Sequence, residues 1–398
     1  MMPTSLRSVT VNQVYLPQSS AVPQTIHLAG GRIEAISPGW TNPGPQVLDA
    51  RDGLVIPGLV DLQVNGGLGW SFQANDQDHY ADIFDYALAH GTTTLLPTLV
   101  TAPQETLTAS LSALAAFIQT QQPVTIPGIH LEGPFLSPAK SGAHDPEALS
   151  PPDLGMMERF YNAAQGSLKI VTLAPELPGA LELIQWLANR GITVSAGHSA
   201  ATYRQIQEAV QAGLSFMTHM GNASDWPQRA MDERGFLGSE PGFVGSFLAI
   251  PELGGSIIAD GFHFHPALIR PLALLKPYHL VLVSDASSVT GLPPGIYTSG
   301  GLGAEIHPEG FATSTLGGGW LAGSIISLLD AVVCSVRSGG LSIEQAVTLA
   351  SRNPAYLIGL DGRKGEIRLG ADADLLVLNH DLTLRHVIAG GKLFTPTQ

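Results

Sequence analysis

Four polar residues stand at the ends of apolar runs that read as strands. They are Glu132 in Gly128-Ile-His-Leu-Glu-Gly-Pro134, His198 in Ile192-Thr-Val-Ser-Ala-Gly-His198, His219 in Phe216-Met-Thr-His219, and Asp285 in Leu280-Val-Leu-Val-Ser-Asp285. One carboxylate and two neutral imidazoles make a donor set for a divalent ion and leave a position open for water. Zinc and iron both suit such donors. Asp285, a further carboxylate, can move protons as a general acid or base. The plainer alternatives are helix caps for the carboxylates and local hydrogen bonds for the histidines. A lone buried carboxylate at a strand end is costly without a partner, which favours a shared site.

Groups this far apart meet only where a fold gathers strand ends. Candidate strands fall at 59–64, 92–96, 128–132, 169–174, 192–197, 216–219, 257–260 and 280–285. Candidate helices fall at 104–119, 154–165, 179–190, 201–212, 266–275 and 323–338. The alternation implies parallel pairing in an α/β fold. Eight such strands imply a (β/α)8 TIM-like barrel over 58–358, with its site at the C-terminal strand ends. A doubly wound open sheet is the alternative, but it gathers its site at one switch point. Here the polar groups recur after the third, fifth, sixth and eighth candidate strands. The chain ends, 1–57 and 359–398, carry short alternating runs and glycine turns. Neither end has enough strands to bury a core alone, so together they are expected to form one small β-sandwich domain.

Other residues read less sharply. His144, in Lys140-Ser-Gly-Ala-His-Asp145, is a surface histidine when taken alone. His263 ends the seventh candidate strand and is expected to face the site. His130 is expected to be a core or supporting residue. Gln63 and Asn65 occupy the first strand, where amides are far weaker ligands than imidazoles, so a single metal ion is expected. The connection 220–250 is long and rich in Gly, Pro and charge, as lids and specificity loops are.

The chain has 398 residues, 44% of them hydrophobic, enough for one large domain and a smaller one. Its 19 Lys+Arg against 33 Asp+Glu give a net charge of -14, with no basic run, which speaks against nucleic acid as a partner. An anionic substrate would need local positive groups to overcome that field. The one cysteine, Cys334, is expected in a buried helix position. No apolar stretch reaches the roughly 18 residues of a membrane span. The first residues lack a charged-then-apolar leader. A cytoplasmic protein with no membrane partner is expected.

Several longer motifs join these residues. They include Pro57-Gly-Leu-Val-Asp-Leu-Gln-Val-Asn-Gly66, His130-Leu-Glu-Gly-Pro-Phe135, Gly197-His-Ser-Ala-Ala201, Ile257-Ile-Ala-Asp-Gly-Phe-His263 and Leu321-Ala-Gly-Ser324. Together they resemble the amidohydrolase superfamily and, within it, the N-acetylglucosamine-6-phosphate deacetylase family. The resemblance implies Glu132, His198 and His219 as ligands of one divalent metal and Asp285 as catalytic acid/base. It implies His144 as a catalytic and substrate contact, His263 as a substrate contact, Asn222 and Ala223 as phosphate contacts, and a homodimer. The implied reaction splits the N-acetyl group of N-acetylglucosamine 6-phosphate to give glucosamine 6-phosphate and acetate.

The chain departs from the family pattern after the sixth strand. Ser239 stands before Glu-Pro-Gly242, where the family has a phosphate-binding arginine. Arg234 or Arg229, in the inserted part, is the expected replacement cation. A different or unphosphorylated N-acetyl amino sugar is the alternative substrate. A non-catalytic relative would ordinarily lose metal ligands, and an N-acyl amino acid hydrolase would not share the extended motifs.

Overall fold

The computed structural model describes residues 4–15, 22–73, 77–120, 122–224, 228–231, 237–298 and 303–394. Six apolar runs pair in chain order as one parallel sheet. They are Leu59–Val64, Thr92–Val100, Ile129–Glu132, Leu168–Leu173, Thr193–Ala196 and Leu214–Met217. Gly255–Ile258 and Leu280–Val283 pair as a second parallel ladder. Almost every residue of these strands is buried, as expected where helices cover one face and a core fills the other.

Hydrogen bonds join the two sheets at both seams. At one, Gly254 N donates to Ser215 O (3.0 Å) and Met220 N to Ser256 O (2.8 Å). At the other, Asp285 N donates to Gln63 O (3.0 Å) and Asn65 N to Ala286 O (2.8 Å). Val60, Leu96, Ile170, Phe216, Ile258 and Val281, from six different strands, share one buried cluster. Each such side chain contributes roughly 1.5–3 kcal/mol by leaving water. One common interior thus holds strands that are distant in sequence.

Helices lie between the strands, close to their expected places: Gln104–Ile118, Leu154–Ala163, Ala180–Ala188, Tyr203–Ala212 and Ile269–Leu275. Local chemistry sets their ends. Thr202 and Gln205 form a capping box, and Gly213 at φ 117° stops the helix ten residues on. The last expected helix begins later than its apolar pattern suggests, at Leu328, because Ser327 and Asp330 cap it there. Cys334 lies on it, half-buried rather than fully buried.

The helix Gln77–Ala89 was not anticipated, although Tyr80, Ile83, Phe84 and Leu88 give it a helical apolar face. Two further additions have no counterpart in the expected elements. A hairpin, Gln228–Met231 with Leu237–Glu240, lies in the long connection, and three short antiparallel strands, Gly295–Tyr297, Ala304–Ile306 and Ala312–Ser314, follow the eighth strand.

Both chain ends enter one eight-stranded sheet. Val47–Pro57 pairs with Leu375–Leu378 on one side and with Ser8–Val14 on the other. Val9, Val11, Ile26, Val55, Leu375 and Ile388 form its own core. Among the described residues no helix is long and apolar enough to cross a membrane.

One carboxylate spans the second seam. Asp61 Oδ1 accepts from Gln63 N (3.3 Å) and Ser284 N (3.2 Å), and burial pushes its pKa to about 7. The folded state therefore holds this proton more tightly than the unfolded chain does. The stability this gives is full below the unfolded pKa of about 4 and is lost as pH rises towards about 7. Asp61→Asn keeps an acceptor oxygen and carries no charge. The variant should gain on the wild type in thermal melts as pH rises across that window. A Tm difference that stays constant with pH would show that Asp61 is ionised throughout.

Candidate active site

The four strand-end residues converge in one cavity of about 330 Å³. All are buried: Glu132 is 2% exposed, His219 4%, and His198 and Asp285 6% each. Three of them have unusual backbones, with φ of 48° at His198, 28° at His219 and 51° at Asp285. Non-glycine residues in this region cost about 1–3 kcal/mol each, and such strain gathers at functional sites. Each of the three stands two residues past the end of its strand, so the left-handed turns lie at the strand ends.

Glu132 sits at the centre. Its Oε1 lies 2.9 Å from His219 Nε2 and 3.5 Å from His198 Nε2, and its Oε2 accepts from Gln63 Nε2 at 3.0 Å. Burial pushes its carboxyl up, but the hydrogen bonds of His198 and His219 and the charge of His219 hold it well below the usual range. Burial likewise opposes charge on His219, yet Glu132 lifts that imidazole to about 9. The cluster thus needs positive charge beside Glu132.

A divalent cation fits that need. The ligand atoms of Glu132, His198 and His219 all lie within 4.8 Å of one another. His198 Nδ1 pairs with Lys140 O at 3.0 Å, which leaves the Nε2 lone pair facing Glu132. Gly142 shares that turn at φ 60°, where a Cβ would come 3.2 Å from His198 Cε1. These three residues can hold a metal.

His144 is not on the surface. It is 6% exposed, its Nε2 is 3.2 Å from His198 Nε2, and its Nδ1 has no partner among the described residues. Burial and the neighbouring His198 depress its pKa to about 3, so it is neutral. His263 Nδ1 pairs with Asp260 Oδ2 at 2.6 Å, and His263 lines the cavity. His130 is a supporting residue, as expected. Its ring nitrogens pair with Leu62 O (3.0 Å) and Thr172 Oγ1 (2.8 Å), and burial lowers its pKa to about 4.

Asp285 accepts from Asn65 Nδ2 at 2.7 Å through Oδ1. Burial raises its pKa, Glu132 adds to this, and His219, His263 and Asn65 act against it. Gln63 and Asn65 therefore hold the two carboxylates of the site. Sequence reasoning weighed both amides only as ligands and did not find these contacts. Asn222 and Ala223 line the cavity, brought there by Ser199 N donating to Ala223 O (3.1 Å). Arg234 lies outside the described residues. No lysine or arginine lines the cavity among those that are described.

The model of the amidohydrolase family matches residues 54–394. The chain belongs to the amidohydrolase family. This amidohydrolase is 37% identical to N-acetylglucosamine-6-phosphate deacetylase of Danio rerio over 357 residues, 87% of this chain and 85% of that protein. It is 33% identical to N-acetylgalactosamine-6-phosphate deacetylase of Escherichia coli O157:H7 over 374 residues, 92% of this chain and 94% of that protein. A mutant N-acetyl-D-glucosamine-6-phosphate deacetylase of Mycobacterium smegmatis, solved with N-acetyl-D-glucosamine-6-phosphate, matches with a TM-score of 0.88 and 33% identity. That match covers 98% of this chain and 99% of the other.

Proposed function

We propose that this amidohydrolase removes the N-acetyl group of N-acetylglucosamine 6-phosphate, giving glucosamine 6-phosphate and acetate. The observation that carries the reading is the union of Glu132, His198 and His219 with Asp285 in one cavity. The similarity to deacetylases of phosphorylated amino sugars supports it.

Glu132, His198 and His219 hold one divalent metal, zinc or iron. When bound, the metal lowers the pKa of water and polarises a carbonyl. The remaining steps belong to the chain. Asn65 occupies Oδ1 of Asp285, so Oδ2 takes the proton of the attacking water as the acetyl carbonyl is attacked. Neutral His144 hydrogen-bonds the carbonyl oxygen as negative charge grows on it. Asp285 then returns the proton to the sugar nitrogen, and the C–N bond breaks. His263, oriented by Asp260, holds the sugar. Asn222 and Ala223 meet the phosphate, with Arg234 as the added cation.

The architecture this implies is a (β/α)8 barrel over 58–358, with a β-sandwich from 1–57 and 359–398. A homodimer is part of the same reading. The second reading, a different or unphosphorylated N-acetyl amino sugar, is favoured by one observation: no lysine or arginine among the described residues lines the cavity. The metal-loaded enzyme should prefer N-acetylglucosamine 6-phosphate over N-acetylglucosamine by about 100-fold or more in kcat/KM, as expected for charge-assisted phosphate contacts. Equal rates would select the second reading, and N-acetylgalactosamine 6-phosphate tests the epimer in the same assay.

A further inference from the structure

The wall of the cavity beside Asp285 ends in an aromatic residue for which the chemistry above has no use. Trp320 lines the cavity and is 56% exposed, so it stands at the mouth. The three other tryptophans among the described residues have partners. Trp40 and Trp186 lie under arginine guanidiniums, and Trp70 stacks on His79 at 3.4 Å. Trp320 has no ring or cation against it among the described residues.

The surrounding backbone leaves room for this indole to lie close against it. Gly317, Gly318 and Gly319 all have positive φ, at 93°, 78° and 65°. A Cβ on Gly318 would come within 2.5 Å of Trp320 Nε1 and 2.7 Å of its Cδ1, so the ring lies directly against that glycine. Ser314 N donates to Trp320 O (2.8 Å) and Ala322 N to Ala312 O (3.0 Å), which pins the chain on both sides of Leu321. Four residues on, Ser324 N donates to Asp285 O (2.9 Å). The backbone that carries the indole is therefore tied to the backbone of Asp285.

We propose that Trp320 is a specificity-determining residue that stacks on the sugar ring of the substrate at the mouth of the cavity. The proposal rests on the amino-sugar reading above. A pyranose presents a face of C–H groups with partial positive charge, and an indole presents a negative π face and a large apolar area. With no lysine or arginine among the described lining residues, such a platform supplies binding that a fixed charge would otherwise give.

The test combines kinetics with a readout that needs no turnover. Trp320→Ala should raise KM for N-acetylglucosamine 6-phosphate about tenfold with kcat within about twofold, the pattern of a lost binding contact. Trp320→Phe should recover most of the loss. Gly318→Ala, which displaces the ring, should fall between them. In an Asp285→Asn background, N-acetylglucosamine 6-phosphate should quench tryptophan fluorescence, and Trp320→Phe should remove that quench.

A KM unchanged in Trp320→Ala, with the quench intact in Trp320→Phe, overturns the proposal. So does a Trp320→Ala variant whose main change is a shift from dimer to monomer in light scattering, since the ring would then cover a second copy of the chain. If the wild type does not turn over the phosphorylated sugar, the substrate reading fails by itself. The platform is then judged by quenching with N-acetylglucosamine and glucosamine 6-phosphate, and failure of both sugars to quench through Trp320 overturns it.

Discussion

Asp285→Asn should keep its metal and lose turnover, with kcat down by about 10³-fold, within the range that positioned proton transfer contributes. Asparagine retains the shape of the side chain and an oxygen that can still accept from Asn65. It cannot take a proton from water or return one to the sugar nitrogen. Glu132, His198 and His219 are untouched, so metal content by elemental analysis should equal that of the wild type. KM should change little, because the carboxylate acts on reacting atoms rather than on the sugar. Near-normal turnover would remove Asp285 from proton transfer. Loss of metal together with activity would instead make Asp285 a ligand.

The strand-end residues were legible because their signal is local. A polar group directly after an apolar run is unusual enough to stand out, and four of them needed one fold to bring them together. The supporting contacts were not legible. Gln63 and Asn65 touch partners 69 and 220 residues away, and no spacing announces such pairs. His144 looked exposed because its turn-rich surroundings are polar. It is buried because the segment after the third strand folds back, with Ser137 N donating to His198 O. The left-handed turns at His198, His219 and Asp285 were not legible either: Asp and His enter that region more readily than most residues, but too seldom for their identity alone to mark the turn. In the fold, strands of three residues, such as Ala304–Ile306, are too short to show a period. The helix Gln77–Ala89 carries a helical apolar pattern, but it follows a glycine-rich turn that masks its start.

Glu132→Gln should empty the metal site and stop activity even though it changes a single atom. The buried carboxylate is the only negative ligand of the three, with one oxygen towards His219 and His198 and the other held by Gln63. A neutral amide offers one weaker donor and turns its NH₂ against either Gln63 Nε2 or the imidazoles, both of which need an acceptor. Buried charge partners removed singly cost about 3–5 kcal/mol, so metal occupancy should fall by more than tenfold and kcat with it. His219 supplies a second check. Burial opposes charge on its imidazole, and Glu132 overcomes this to lift it to about 9, so in metal-free protein its NMR titration should move down in the variant. Full metal content in Glu132→Gln would place the ion elsewhere in the cavity. An unmoved His219 titration would mean that another acid holds that proton.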